Sequence, residues 1–543
     1  MKTKYILASC LVSTLAWTGC QEIDTYPEGG TVTSQQKEEV AELNPDRAEA
    51  GVNAIFALFS QYMPNSGALG AERHNDFGYP TIMLAMDANG MDVVSDNNGY
   101  NWAGSSLDYT DRSYSSNECQ MVWNDLYSII YAANNVIATI DPATEESASK
   151  KFLGQALAAR AFCYHVLAQL YQFNYVGHET SPCVPLITNE NSEEAAQNGI
   201  GRATVQEVYD QIKTDLDQAI ELLTAAEEAG ETNADKRYIN AAVAYGLRAR
   251  MNLTMQNWAE AAQDADQAIA SFTGSPVSIE TLSLDLCTSK VFSDLSETNW
   301  MWGINVDETD DVVSSGIVNW ISHMGSMNYG YANFSLGKQI NRALYNTISD
   351  TDVRKHWWLD ENSESPIVSS AEEKEWISYY YGPYTQVKFA PYNGVVGQST
   401  NANDMPLMRI EEMYLIKAEA EAMSGNVGAG NNTLRDFVST YRDPQYSFNG
   451  SSATDIQEEV YRQRRIELWG EGLIWFDIMR LNKPVDRRGA GFPNAPMVFN
   501  IPAGSDILLW RIPENEIMSN PMLEESDNNP SAPQPQPVAD VVE

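Results

Sequence analysis

Thr18-Gly19-Cys20 closes an apolar run from Tyr5 to Trp17 that follows Lys2 and Lys4. A small residue directly before a cysteine is what a lipoprotein signal peptidase requires, because the thiol must accept a diacylglycerol before the bond between Gly19 and Cys20 is cut. The positive start and short apolar stretch describe an export signal rather than a spanning helix, which needs about 20 apolar residues. Residues 1–19 are read as a signal peptide and Cys20 as the lipidation site. Leu7-Ala8-Ser9-Cys10 offers a similar motif but leaves too short an apolar region for export. Lipid chains on residue 20 would hold the chain to a membrane more firmly than a single acyl chain.

The remaining reactive groups are numerous but dispersed. The 74 Asp and Glu outweigh the 34 Lys and Arg, a formal net charge of −40. Such a surface repels phosphate backbones, so no nucleic-acid partner is expected. Glycoside hydrolysis needs two carboxylates about 5–10 Å apart across a sugar. No loop motif singles out such a pair, and no G-x-S-x-G nucleophile elbow occurs. No catalytic residue is therefore assigned and the chain is read as a binding protein, with a helical glycoside hydrolase as the rival. Cys119, Cys163, Cys183 and Cys287 match no zinc spacing and are expected as free, buried thiols. The histidines at 74, 165, 178, 323 and 356 are equally scattered. Asp87 to Asp92 and Asp307 to Asp311 carry hard oxygens, but neither completes a calcium loop with its terminal glutamate. Neither metal nor cofactor is assigned.

The chain also has 13 Trp and 27 Tyr. Their rings offer flat apolar faces with a polar edge, suited to cores, interfaces and ligand surfaces alike. Many fall in long stretches rich in Gly, Asn, Asp and Ser, chiefly 64–117, 274–335 and 357–405. Loops of this length in a compact domain are often functional, so a ligand site is expected there. Trp300 and Trp302 alternate with Met301 as in a strand and are expected in the core, while Trp357-Trp358 and Tyr379-Tyr380-Tyr381 are secondary ligand candidates.

Helices must position these loops. Apolar residues recur at helical spacing over 47–63, 118–140, 150–173 and 204–226, the last opening on a capping box of Thr204 and Glu207. Residues 238–272, with Ala249, Trp258, Ala261 and Ala268, resemble a tetratricopeptide unit. A second such unit spans 413–437, with Ala418 at the close approach, Gly425-Asn426 at the turn and Leu434 on the returning helix. Ile466, Trp469, Leu473 and Phe476 fit one helical face, with Arg464, Glu467, Glu471 and Arg480 free to form ion pairs. The tail 524–543 is polar and proline-rich and is expected to be disordered or loosely pressed on the surface.

Four separated blocks resemble the SusD/RagB family of outer-membrane surface lipoproteins of the Bacteroidota. They are Ala159-Arg160-Ala161 through Tyr171 to Val184-Pro185-Leu186, Arg409 to Ala422, Arg464 to Gly472 with Trp475 to Arg480, and Trp510 to Pro521. Ile474 departs from the basic residue often found there. The resemblance implies a mainly α fold, in which tetratricopeptide-like helical pairs form a scaffold beside a loop-rich irregular lobe with short strands. It implies one domain over 20–523, with helical blocks at about 45–63, 118–272 and 406–480 and the lobe at about 64–117 and 274–405. It also implies a lipid-anchored protein of the outer-membrane surface. Such a protein would capture an oligosaccharide or polysaccharide and act as a lid on a SusC-like TonB-dependent transporter.

In related members the ligand loops lie where this chain reads Asp96 to Trp102 and Asn319-Trp320 to Asn328-Tyr329-Gly330-Tyr331. A sugar ring needs an aromatic face beneath its C–H groups and amides or carboxylates at its hydroxyl edge. Trp102 and Trp320 are the expected stacking surfaces, with Tyr100, Tyr329 and Tyr331 as secondary ones, and Asn101, Asp96 and Asn328 as hydroxyl partners. The competing reading for each aromatic is that it packs a loop onto the core. A peptide-binding member of the same family remains the alternative ligand class.

Overall fold

The computed structural model describes residues 46–62, 75–314, 319–334 and 337–541. The expected signal peptide, the expected lipidation site Cys20, and His74 lie outside them. The architecture is mainly α. The helices used below are α1 Asp46–Ala57, α2 Tyr79–Asn89, α3 Asn117–Ile137, α4 Ser147–Tyr171, α5 Val205–Glu228, α6 Ala241–Met255 and α7 Trp258–Ser271. They continue with α8 Ala371–Tyr380, α9 Ile410–Met423, α10 Val427–Tyr441, α11 Ala453–Glu467 and α12 Ile474–Arg480.

Each long helix packs on its successor from α3 through α7, α7 packs on α9, and α9 on both α10 and α11. The helical stack is therefore continuous in space although about 140 residues separate α7 from α9 in sequence. Helix α4 lies at its centre, and every residue from Leu153 to Tyr171 is buried. Its alanines let α3 and α5 approach. Its one buried guanidinium, Arg160, is satisfied by Asp215 at 2.7 and 2.8 Å and by Asn134 at 2.7 Å. The capping box at the start of α5 is present as expected, with Glu207 N donating to Thr204 Oγ1 and Thr204 N to the Glu207 carboxylate. In both tetratricopeptide-like pairs, Ala249, Ala261, Ala268 and Ala418 are fully buried at the helix crossings. Gly430 shows how tight these are: a Cβ there would lie 2.6 Å from the Ala418 carbonyl oxygen.

The irregular lobe carries little regular structure. Its strands form two-stranded antiparallel ladders: β1 Val93–Val94 with β5 Gln339–Ile340, and β4 Trp300–Ile304 with β6 Met405–Arg409. Two further ladders, β2 Pro182–Pro185 with β3 Arg202–Thr204 and β7 Val485–Asp486 with β8 Asn500–Ile501, tie loops to the scaffold. Trp300 and Trp302 are fully buried in β4, as their alternation with Met301 suggested. Ile304 stands opposite Met405, so the excursion between them leaves and re-enters at one ladder. Asp404 fastens this neck, accepting from Leu295 N at 2.9 Å, Val306 N at 2.8 Å and Asn305 Nδ2 at 3.2 Å.

A buried ionic cluster joins lobe to scaffold. Glu467 accepts from Arg442 at 2.7 and 2.9 Å, from Arg409 at 3.0 Å and from Arg354 at 3.2 Å. Burial alone would raise its pKa, but the Arg442, Arg409 and Arg354 guanidinium groups outweigh it and hold the carboxyl well below the usual range. Arg409 also reaches Glu471, which pairs with Lys388. Arg464 pairs with Asp477 at 2.6 Å and Arg480 with Glu419 at 2.7 Å, so the ion pairs expected of Arg464, Glu467, Glu471 and Arg480 are present. The continuous helical face expected from Ile466 to Phe476 is not. Helix α11 ends at Glu467, because Gly470 and Gly472 adopt left-handed φ of 75° and 70°, and α12 restarts at Ile474.

The tail also differs from expectation at its start. Asn528 exchanges hydrogen bonds with the Ile512 backbone at 2.8 Å, and Asn529 donates to the Tyr171 and Trp510 carbonyls at 2.8 and 2.7 Å. Asparagine amides that mimic a backbone pairing seat this polar segment in a buried slot. Cys119, Cys163 and Cys183 are buried free thiols, and Cys287 is half-buried.

Candidate ligand-binding site

The turn from Asp96 to Trp102 is shaped by its own asparagines. Tyr100 N donates to Asn98 Oδ1 at 2.9 Å, and Asn101 N donates to the Asn98 carbonyl at 3.0 Å. The Asn101 amide is turned inward, donating to Asp96 O at 2.7 Å and Ser95 Oγ at 3.3 Å and accepting from Ala103 N. This lifts Tyr100 and Trp102 to the surface, 53% and 37% exposed. The Asp96 carboxylate accepts from Asn98 and from the Asn494 amide.

Beneath the turn lies Lys338, which is buried. The one hydrogen bond of its ammonium group among the described residues is to Asn101 Oδ1, at 3.4 Å. Burial pushes its pKa down to about 8, with Asp96 opposing the shift. Nothing in the local sequence signals this position.

The second segment is held by amide pairing to the stretch Gln398–Asn401. Tyr329 N donates to Gln398 O at 2.9 Å, Asn401 Nδ2 to Tyr329 O at 2.9 Å, and Asn328 Nδ2 to Asn401 Oδ1 at 2.7 Å. Tyr329 emerges 49% exposed. Trp320 does not emerge: it opens a short helix capped by Asn319, is 1% exposed, and meets Phe389 edge-on at 4.9 Å. Tyr331, Asn101 and Asn328 are buried as well. These four depart from the expected ligand-facing roles because their rings and amides are consumed in holding the loops.

The two segments nevertheless converge. The Tyr331 ring lies 6.0 Å from Trp102, and burial raises its pKa. Behind Tyr331 stand His323 at 5.2 Å and Phe77 at 5.7 Å beyond it, both near-parallel stacks. A ladder of rings thus runs from the core to the exposed Trp102, fixing its support before any ligand arrives.

Helix α8 adds further aromatics, with Tyr379 74% exposed and Tyr380 against Trp376 at 4.6 Å. Trp376 packs on Gly397, whose N–H donates to Met327 O at 2.7 Å, so α8 is linked to the Tyr329 loop. The triple tyrosine was the available sequence signal. Trp357 and Trp358, the other secondary candidates, are buried. The acidic stretch 87–92 also serves structure: Asp87 accepts from Gly472 N at 3.0 Å, and Asp92 pairs with Arg465 at 2.6 Å.

Residues 74–253 match a SusD-like family model described as starch-binding associating with outer membrane, and residues 344–530 match that of the SusD family. The chain belongs to the SusD/RagB family. A SusD-like protein of Formosa agariphila is 22% identical over 433 residues, covering 74% of this chain and 78% of its own. Among solved structures, a SusD-like carbohydrate binding protein of Bacteroides vulgatus superposes with a TM-score of 0.72 at 24% identity, covering 89% of this chain and 97% of its own. A SusD superfamily protein of Bacteroides thetaiotaomicron gives 0.69 at 20%, covering 90% and 99%. Surface glycan-binding protein A of the same species, in complex with laminarihexaose, gives 0.61 at 16%, covering 88% and 98%. The two SusD family matches leave 254–343 uncovered, the stretch that contains Trp320, Tyr329 and Tyr331. Among the described residues no helix is long and apolar enough to cross a membrane.

Proposed function

We propose that this chain is a cell-surface glycan-binding lipoprotein, anchored in the outer membrane through Cys20, that captures oligosaccharides and delivers them to a SusC-like TonB-dependent transporter. The observation that carries the glycan reading is the convergence of the Tyr100-Trp102 turn and the Tyr329-Tyr331 loop, with exposed rings on a buried aromatic ladder. Such a platform can stack on the C–H face of a sugar while Asp96, at the edge of the turn, meets its hydroxyls. Solved relatives of the same fold include a laminarin binding SusD-like protein and the laminarihexaose complex, which supports a saccharide as the ligand class. The transporter and anchor rest on the family and on the export signal at the N-terminus.

The test is calorimetric titration of residues 21–543 with plant, fungal and host oligosaccharides, with peptides as controls and product analysis on each mixture. Saturable glycan binding without new products, about tenfold weaker in Trp102→Ala, is the expected result. Turnover would instead indicate a hydrolase, and peptide-only binding the other ligand class.

A further inference from the structure

A cleft of about 820 Å³ lies away from the Trp102 platform, between α8, the 3-10 turn Val353–Trp357 and the loop Asp360–Ser369. Its volume is in the range of small-ligand sites. Helix α8 separates the two regions. One side of the helix turns Lys374, Ile377, Ser378 and, just past its end, Tyr381 into the cleft, at the spacing of one helical face. Trp376 packs instead against Gly397, on the loop that holds Tyr329. Tyr381 belongs to both regions: its ring lines the cleft, and its hydroxyl accepts from Met327 N at 2.5 Å, two residues before Tyr329.

The chemistry of the walls selects among ligands. Tyr345, Trp358 and Tyr381 are buried and give an apolar floor, while Asn362, Lys374 and Ser378 are exposed at the rim. Asp360 spends one oxygen on Asn362 N and Glu364 N, at 2.8 and 2.9 Å, leaving the other with a 3.5 Å contact to the Asn362 amide. Lys355 is already paired with Asp350 at 2.6 Å. Of the remaining charges, Lys374 faces Asp360 and Glu364, so an anion would meet net negative charge. A metal ion would need convergent ligands, and no group of three such side chains occurs among the described residues. Interspersed donors and acceptors above aromatic edges suit a neutral, hydroxyl-rich ligand.

We infer that this cleft is a second saccharide subsite, taking a neutral stretch of the same glycan chain that the platform holds, with Tyr381 in the wall between them. This rests on the glycan reading above. Two linked sites raise the effective concentration of the second contact, so long chains gain more than either site gives alone.

The test uses residues 21–543 as wild type, Trp102→Ala, and Trp102→Ala combined with either Ser378→Trp, which fills the cleft, or Lys374→Ala. Both cleft positions are exposed on α8, and melting curves confirm that each variant is folded. Laminarihexaose, cellohexaose, maltohexaose and mannohexaose are titrated into each. The expected result is residual binding of at least one hexasaccharide by Trp102→Ala, cut a further tenfold or so by either cleft substitution. Absence of binding by Trp102→Ala, or residual binding that both cleft substitutions leave unchanged, overturns the subsite. Full wild-type binding by Trp102→Ala that the cleft substitutions abolish overturns the platform instead and leaves the cleft as the site.

Discussion

Tyr331 lies under Trp102 with ring centroids 6.0 Å apart and planes inclined by 60°, one ring buried and the other at the surface. The contact joins two loops distant in sequence and divides the work between them: the buried ring fixes a position, and the exposed ring is left for a ligand.

Trp102 and Trp320 should therefore respond to truncation in opposite ways. Trp102→Ala is expected to weaken glycan binding about tenfold with little change in melting temperature. Trp320→Ala opens a cavity against Phe389 and should cost about 3–5 kcal/mol of stability. Calorimetry and thermal melts on both variants check this; a Trp320→Ala protein as stable as wild type would contradict its core placement.

Lys338 makes stability depend on pH in the alkaline range. Its folded pKa of about 8 is below the ordinary 10.5, so between those values the unfolded chain binds more protons and stability rises with pH. Below about pH 8 the cost of the buried ammonium is fully present, up to about 3 kcal/mol. Lys338→Met should be at least as stable as wild type at pH 7, with the advantage shrinking from pH 8 to 10.5. Urea melts across that range measure it.

Glu467→Gln would leave Arg354, Arg409 and Arg442 facing a neutral amide in a sealed interior. A loss of about 3–5 kcal/mol is expected, measurable by denaturant unfolding.

Asn529→Ala removes the amide that meets the Tyr171 and Trp510 carbonyls and should cost about 1–3 kcal/mol. Limited proteolysis should then cut sooner near residues 530–541, whereas unchanged cleavage would show that the remaining contacts suffice.

The helical scaffold was legible because its signals are local: 3.6-residue periodicity, the Thr204–Glu207 box, and alanines at crossings. The break at Gly470 and Gly472 was also written locally, but the apolar spacing across it imitated a single helix. Site residues were less legible. Trp102 and Trp320 both follow an asparagine in polar, aromatic loops, and what separates them is Phe389, far along the chain. Asn328 is likewise withdrawn by Asn401, and Lys338 gains its setting only when the pairing of the neighbouring β5 brings it under Asn101. Burial of a loop side chain is a long-range property, so composition nominates the loop without choosing the side chain.

The ladder that sets Ile304 opposite Met405, bolted by Asp404, gives the chain a modular seam. The chain leaves at Asn305 and returns at Asp404 through one narrow doorway, and the helices on either side already touch. Insertions or deletions in its surface loops, away from Arg354 and Lys388 in the buried cluster, would leave the register of the stack intact. Those loops could thus be rewritten for a different ligand while the surrounding frame is kept.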